Sequence, residues 1–510
     1  MDSSIIILFV IIPLFAAFLI PVIGRLVPGF QRIFTSSIMF VLLIISIIAV
    51  GESQDTMTYM AGGWEPVNGV PVAIYLVLDG LSRFLLIIIN LLGFLSAFYA
   101  ISYIKRYTGE NFFYTLMCLM VAGMNGVVLS GDLFNLYVFL EISVISSYAL
   151  VAFGVEKTEL EASYKYQVLG GLASLLILFG IAMIYWRTGT LNIADIAIIL
   201  TGEERDAFLV FVQLIMVTGF GIKAALIPFH AWLPDAHSSA PSPISAMLSG
   251  VLIKAVGVYV IIRLFFNMFQ LDGGLAAVIT VIGAISMVIG VLLAIGQWDL
   301  KRLLAYHSIS QMGYVVIGIG MGMILLARDG DKSVAALAIG GGLFHMINHA
   351  VFKGLLFLNA GSIEYATGTR DMTKMGGLAR YMPVTLASSF SASMAISGMP
   401  PFNGFFSKLV IIVAAIQGGF YLLALLAVIA GIITLASFMK FQRYAFYDKS
   451  PQREVVKEVP FSMCFSMVTL AILCLVLSLL IFPGIREVFL GPAVNTLVET
   501  ADYATKILNL

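Results

Sequence analysis

Apolar residues run along this chain in blocks of about twenty, joined by short polar stretches, and about 20 apolar residues is the length a helix needs to cross ~30 Å of hydrocarbon. Such blocks fall at about 4–23, 33–50, 78–101, 112–130, 133–153, 163–186, 207–229, 242–266, 275–297, 301–325, 335–361, 383–417, 420–443 and 461–483. The pattern predicts an all-α membrane protein of about 14 transmembrane helices. The block at 383–417 is too long for one straight crossing and contains Gly398, Pro400, Pro401 and Gly404, so it reads as a span broken in its middle. The seventh block is broken as well, at Pro228, five residues after a lysine, Lys223.

The two breaks lie five spans apart, the spacing expected if spans 4–8 and 9–13 are two copies of one five-helix unit. An odd number of spans per copy inverts the second. The order Lys223, Pro228 in one and Pro401, Lys408 in the other suits that inversion. No linker rich in Ser, Pro or charge marks a soluble domain. Residues 1–510 therefore form one polytopic membrane domain: 1–110 holds three N-terminal spans, 111–270 the first repeat, 271–445 the second and 446–510 the C-terminal span.

Composition agrees: 60% of residues are hydrophobic and 11% charged, where soluble domains carry roughly a quarter charged residues. The 28 basic and 28 acidic residues cancel, which gives no pull toward nucleic acid or an acidic substrate. Cys118, Cys464 and Cys474 lie in apolar runs without a CxxC pair or a nearby histidine, so neither a disulfide framework nor a metal site is expected. The N-terminus has no basic n-region and no small-residue cleavage site before Ile5, and reads as a first span rather than a signal peptide. Counting Lys and Arg in alternate loops gives fifteen on one side, from Arg25 to Lys457 with Lys301 and Arg453 among them, and seven on the other, from Arg187 to Lys506. The excess puts the first side in the cytoplasm and both termini outside. Trp64, Trp186, Trp232 and Trp298 fall near span ends, where amphipathic rings settle.

Against this apolar background a few charges stand out. A lysine at bilayer depth costs at least ~3 kcal/mol on insertion scales, and a proline there frees backbone groups that must be satisfied again. Neither is kept for stability. Lys223 and Pro228 are read as part of an ion path, in which the broken helix opens backbone to a hydrated cavity. Glu141, about eight residues into the fifth span, is the natural partner of Lys223, and the pair can hold or release a proton. A static ion pair that helps two helices assemble is the alternative. Lys254 lies mid-span in the eighth helix, and His345, His349 and Lys353, spaced four apart, share one face of the eleventh. Lys408, just past Pro400 and Pro401, ends the series. His345 and His349 lack a third ligand and an HExxH pattern, so no metal is expected, and interhelical hydrogen bonding is their other reading.

His230, Asp235 and His237 fall at the cytoplasmic end of the seventh span, where they serve either as a point of proton access or as ordinary interface polarity. Asp79 and Arg83, four apart, read as a structural pair more than a cation site. The cluster from Glu156 to Lys165 reads as a solvated loop and helix start, and Gly340-Gly341-Gly342 as close helix packing rather than a phosphate loop. No haem ligands, iron–sulfur cysteines or nucleotide fingerprint appear in a useful context. No cofactor and no catalytic centre of its own is expected.

Five segments then carry a resemblance. Leu-Phe-Asn-Leu-Tyr-Val-Phe-Leu-Glu141, the stretch from Lys223 to Ser245, Leu-Leu-Ala-Tyr-His-Ser-Ile-Ser-Gln-Met-Gly-Tyr (303–314), His-Met-Ile-Asn-His-Ala-Val-Phe-Lys-Gly-Leu-Leu-Phe-Leu (345–358) and Gly-Met-Pro-Pro-Phe-Asn-Gly-Phe-Phe-Ser-Lys408 resemble the antiporter-like subunits of respiratory complex I and of Mrp-type cation/proton antiporters. The resemblance implies fourteen helices with two inverted five-helix units, and a proton path through Glu141, Lys223, Lys254 and Lys408. In it the Glu and Lys of the first unit form a switching pair, and the broken-helix lysine of the second controls exit to the outside. The segment from Ser130 to Gly154, Lys408 and the short C-terminus look like the Mrp D type, whereas His230-Ala-Trp-Leu-Pro-Asp-Ala-His237 looks more like complex I and membrane-bound hydrogenases.

The function so implied is proton movement, with Na+ as a candidate exchange ion, inside a redox-driven complex of the membrane-bound hydrogenase kind. The alternatives are the D-type component of a stand-alone Mrp Na+/H+ antiporter or a complex I M/N-type subunit. A carrier for a small organic ion is a further class, which the five motifs disfavour. The implied partners are other antiporter-like and small membrane subunits, with iron–sulfur and nickel oxidoreductase subunits in the redox case, in a prokaryotic cell membrane.

Overall fold

The computed structural model describes residues 3–51, 55–64, 66–67, 71–203, 205–449 and 456–508. Arg453, one of the charges counted for orientation, lies outside them. In chain order the elements are α1 (Ile5–Ile23), α2 (Phe30–Gly51), β1 (Met57–Ala61), β2 (Ile74–Leu78), α3 (Gly80–Tyr103), α4 (Glu110–Leu129), α5 (Leu133–Val151), α6 (Lys157–Thr188), α7 (Ile193–Thr201), α8 (Ala207–Lys223), α9 (Trp232–Ser239), α10 (Ser242–Met247) and α11 (Tyr259–Asn267). The second half holds α12 (Gly273–Ile295), α13 (Leu300–Ala327), α14 (Lys332–Thr367), α15 (Pro383–Ser397), α16 (Asn403–Gln417), α17 (Tyr421–Gln442), α18 (Phe461–Val476), α19 (Pro483–Phe489), α20 (Gly491–Val498) and α21 (Thr500–Leu508).

Among the described residues twelve helices are long and apolar enough to cross a membrane, α10 and α11 counting as one across the π-helical turns between them. The broken pairs α8/α9 and α15/α16 bring the crossings to the expected fourteen. The first break differs from expectation in extent. The helix stops at Lys223, resumes at Trp232 and runs to Ser239, so the crossing reaches about ten residues beyond the 207–229 block. Pro228 lies inside the irregular stretch, where Ala225 adopts a left-handed φ of 53°.

Polarity decides which helices are central. The segment from Ser242 to Asn267 is wholly buried, and α13 and α14 nearly so, while α6, α17 and α18 turn much of their apolar surface outward. The inner helices hold the Lys, His and Ser side chains that lipid would reject; the outer ones are covered in Leu, Ile and Phe. Glycines let the inner helices touch. A Cβ on Gly318 would come within 3.0 Å of Gly342 Cα, and one on Gly341 within 3.2 Å of Ile411 N, so the glycine run of α14 is a packing seam.

β1 and β2 form an antiparallel hairpin, Met57 opposite Leu78, on the face that carries few Lys and Arg. On the same face α19, α20 and α21 fold across the end of the bundle, elements that a single C-terminal span did not anticipate. Pro492 of α20 sits on Gly80, where a Cβ would lie 2.3 Å from its backbone, and Asn267 Nδ2 donates to Thr496 O at 2.9 Å.

These helices cover a buried ion pair that corrects the reading of Asp79. Its carboxylate accepts from Ser82 N at 2.9 Å, which caps α3, and it is bound by both guanidinium nitrogens of Arg263, at 2.6 and 2.9 Å. Arg83 instead donates to Asp55 O at 2.7 Å. Spacing of four suggested Arg83 as the partner of Asp79, but the guanidinium that binds this carboxylate comes from α11, 184 residues further along the chain.

Candidate functional site

A lysine that ends a half-helix brings its charge to the place where carbonyls have lost their helical partners. Lys223 is the last residue of α8 and 3% exposed. Its Nζ donates to Ser174 Oγ of α6 at 2.9 Å and lies 3.8 Å from Glu141 Oε1 of α5. Ser174 Oγ in turn donates to Glu141 Oε1, so a hydroxyl stands between carboxylate and ammonium. Tyr148 OH lies 3.5 Å from the same Nζ. The expected pair is present, with a hydroxyl bridge that a lone serine in an apolar helix did not signal. The break is satisfied by side chains: Trp232 Nε1 donates to Ile222 O at 2.9 Å, and Ile227 N donates to Ser286 Oγ of α12 at 2.9 Å.

The segment that carries Lys254 packs directly on the end of α8. Gly257, one turn beyond Lys254, lies so close to Ala224 that a Cβ would sit 2.7 Å from its backbone. Lys254 itself lies in the π-helical turns, whose wider winding leaves carbonyls turned aside. Its Nζ donates to Ser249 O at 2.9 Å and to Gly250 O. Gly250 in turn rests on α14 at Ala350 and Gly354, the level of His349 and Lys353.

On α14 the three predicted residues are held differently. Lys353 Nζ donates to Leu304 O of α13. His349 is fully buried, and neither ring nitrogen has a partner among the described residues. His345 joins Ser407 Oγ of α16 through Nδ1 at 3.0 Å and Gln311 Oε1 of α13 through Nε2 at 3.2 Å. Ser407 precedes Lys408, whose Nζ crosses the second break to donate to Ile396 O at 2.7 Å and lies 4.8 Å from the centre of the Tyr314 ring. Lys408 thus caps the first half-helix, α15. Across the same break Asn348 and Asn403 hold each other, at 2.9 and 3.0 Å, between α14 and α16. Pro400 and Pro401 lie in the turn itself.

The three residues read as a point of proton access separate. Asp235 lies at the Lys/Arg-rich face, bound to Lys165 at 3.0 Å and Arg302 at 2.6 Å. His230 lies in the break, half-buried, with its Nδ1 unpartnered among the described residues. His237 is not at an interface at all: helix α9 carries it inside, fully buried between the rings of Trp232 and Phe357, and neither ring nitrogen has a described partner. The extra helical turns after the break move it there.

Two further buried groups were missed. His307, within the Leu-Leu-Ala-Tyr-His motif, shares a hydrogen bond of 2.8 Å with Ser437 Oγ and stands one turn before Gln311 on α13, a spacing that could have marked it. Lys301 was counted as a loop charge, yet it is 1% exposed and 3.4 Å from Glu364. Chemically, the line offers carboxylate, ammonium, imidazole and hydroxyl groups in sequence from one broken helix to the other, each able to give up or take a proton. The unpartnered imidazoles of His237 and His349 have hydrogen-bonding capacity to spare, which buried polar groups rarely leave unused.

Residues 130–434 match the family described as NADH:quinone oxidoreductase/Mrp antiporter, TM. Over 427 residues, 83% of each chain, the protein is 36% identical to the D-type component of the Na(+)/H(+) antiporter of Alkalihalophilus pseudofirmus. It is 34% identical over 468 residues, 90% of each chain, to the N-type component of the NADH-quinone oxidoreductase of Desulforudis audaxviator. Among solved structures, a chain of the Mrp complex from Dietzia sp. DQ12-45-1b superposes with a TM-score of 0.88 at 26% identity, covering 99% of both chains. A chain of the membrane-bound sulfane sulfur reductase, an archaeal respiratory membrane complex, does so with a TM-score of 0.89 at 28% identity, covering 99% of this chain and all of that one.

Proposed function

The chain belongs to the NADH:quinone oxidoreductase/Mrp antiporter transmembrane family and is an antiporter-like subunit of the Mrp/complex I type, and from that premise we propose that it moves protons along the line Glu141, Lys223, Lys254, Lys353, His349, His345 and Lys408. The observation that carries the reading is the Ser174 bridge between Glu141 and Lys223, at the end of a half-helix that packs directly on the Lys254 segment. When Glu141 is charged it holds the proton on Lys223. When a proton neutralises Glu141, that hold weakens, and Lys223 releases its own proton toward Lys254. Lys408, bound to the free carbonyl of the second break, is the last donor before the opposite face. The two breaks, each capped by side chains, support reading 111–270 and 271–445 as two inverted units. The Lys/Arg excess supports a cytoplasmic location for that face, with both termini outside.

For the parent complex we favour a redox-driven assembly of the membrane-bound hydrogenase kind, in which iron–sulfur and nickel subunits supply the energy; the likeness to a respiratory complex chain over its full length supports this. The identity to the D-type component of an Na(+)/H(+) antiporter favours a second reading, a stand-alone antiporter that exchanges H+ for Na+. Mass spectrometry of the complex purified in mild detergent separates them, since oxidoreductase chains accompany the protein in the first case and only membrane subunits in the second. The relay itself is tested in vesicles. Glu141→Gln and Lys223→Ala are expected to abolish proton movement in complexes that still assemble, and normal transport by either variant refutes the switching pair.

A further inference from the structure

The line of buried groups needs a way in from the Lys/Arg-rich face, and Asp235 is poorly suited to it. Its carboxylate is committed to two cations at hydrogen-bonding distance. Glu364, near the end of α14, is held differently. Lys301 at 3.4 Å, Arg106 at 3.9 Å and Arg370 at 3.9 Å surround it, each beyond the length of a charge-assisted hydrogen bond. The three cations favour its charged form, yet its buried Oε2 has no hydrogen-bond partner among the described residues and so has acceptor capacity to spare. It lines a polar cavity of about 420 Å³, with room for on the order of ten water molecules. A second cavity, of about 410 Å³, shares Thr158, Ser239 and Arg370 with the first, so the two form one vestibule at this face.

Beneath Glu364 the polar groups continue inward. Tyr103 OH donates to Ser242 Oγ at 3.2 Å, and Tyr99 OH and Ser362 Oγ share a bond of 3.0 Å. Both pairs converge on Gly361, where an added Cβ would lie 2.5 Å from Ser242 Oγ and 2.9 Å from Tyr99 OH. The cations about Glu364 also fasten the turn behind His237: Lys301 Nζ donates to Ala240 O at 3.0 Å, and Arg370 to Ser238 O. We propose that Glu364, with Lys301 and Arg370, is the gate through which protons pass from the vestibule to the buried histidine His237. A proton leaves vestibule water for a Glu364 carboxylate oxygen and neutralises it, so that Lys301 and Arg370 lose their counter-charge. It then passes along the hydroxyls at Gly361 to a ring nitrogen of His237, and Glu364 returns to its carboxylate form.

This rests on the relay reading above, and the test separates the two. The complex is reconstituted in vesicles, acid is added at the Lys/Arg-rich face, and proton uptake is followed. Glu364→Gln is expected to assemble and to slow uptake on the order of a hundredfold, the low end of what a positioned proton-transfer group contributes. Glu364→Asp, which keeps the carboxylate, is expected to retain most of the rate. Thr158→Cys, at the vestibule wall, is expected to transport normally until a trimethylammonium methanethiosulfonate reagent is added at that face, and then to stop. Wild-type uptake by Glu364→Gln, with Glu141→Gln inactive, overturns the gate and leaves the relay standing. Wild-type uptake by Glu141→Gln overturns the relay and the gate with it. If Glu364→Gln does not assemble, Tyr103→Phe, which removes only the hydroxyl that meets Ser242, decides: slowed uptake supports the gate, and wild-type uptake overturns it.

Discussion

At the scale of single residues, the proposed relay depends on one hydroxyl. Lys223 and Glu141 are 3.8 Å apart, too far for a direct hydrogen bond, and Ser174 joins them. Ser174→Ala removes a bond to a charged group, about 1.5–3 kcal/mol, so proton transport is expected to fall roughly tenfold or more while the amount of complex on a native gel is unchanged. Ser174→Thr, which keeps the hydroxyl, should restore it. An undiminished rate in Ser174→Ala would mean that the pair exchanges its proton without the bridge. Glu141, Lys223 and Lys408 were legible in the sequence because a charge inside an apolar run has no cheap explanation. Ser174 and Tyr148 were not, since either is common in a helix and shows its role only when another helix brings a charge to it. Asp79 and Lys301 failed for the same reason in reverse. Their partners, Arg263 and Glu364, are 184 and 63 residues away, and local spacing or nearness to a span end proposed simpler neighbours.

At the scale of elements, the breaks are held by close fits as much as by hydrogen bonds. Gly404, at the start of α16, has no room for a side chain: a Cβ would lie 1.8 Å from Ala395 O of α15. Gly404→Ala is expected to destabilise the second broken helix by about 3 kcal/mol, seen as a lower melting temperature of the purified complex and loss of transport. Gly171→Ala, on α6 with nothing within 4 Å, should melt as the wild type does. The fourteen crossings were readable from block length alone, because hydrocarbon thickness fixes how many apolar residues a helix must show. The π-helical turns around Lys254 were not, since they arise from packing rather than from any distinct residue pattern. The same holds for α9 and for the short helices α19 to α21, whose polar and apolar residues mix over too few turns to declare a period.

At the scale of the whole molecule, two ends of the chain meet over the Asp79–Arg263 pair. Arg263→Leu leaves Asp79 charged and buried, and is expected to cost about 3–5 kcal/mol, measured as a fall in the thermal midpoint of the assembled complex. Replacing both with apolar residues, Asp79→Leu with Arg263→Met, should cost less, since no charge is left alone. The third span also depends on helices made much later. Tyr99 of α3 finds Leu358 O and Ser362 on α14, and the carbonyl of Leu95 is reached by Ser466 of α18, 371 residues further on. At roughly 5–20 residues per second, translation of that interval takes tens of seconds. Throughout it the third span waits in the bilayer or against the insertion machinery with polar groups not yet met. A pause late in the message therefore lengthens the time for which a helix finished long before stands without the partners it packs on.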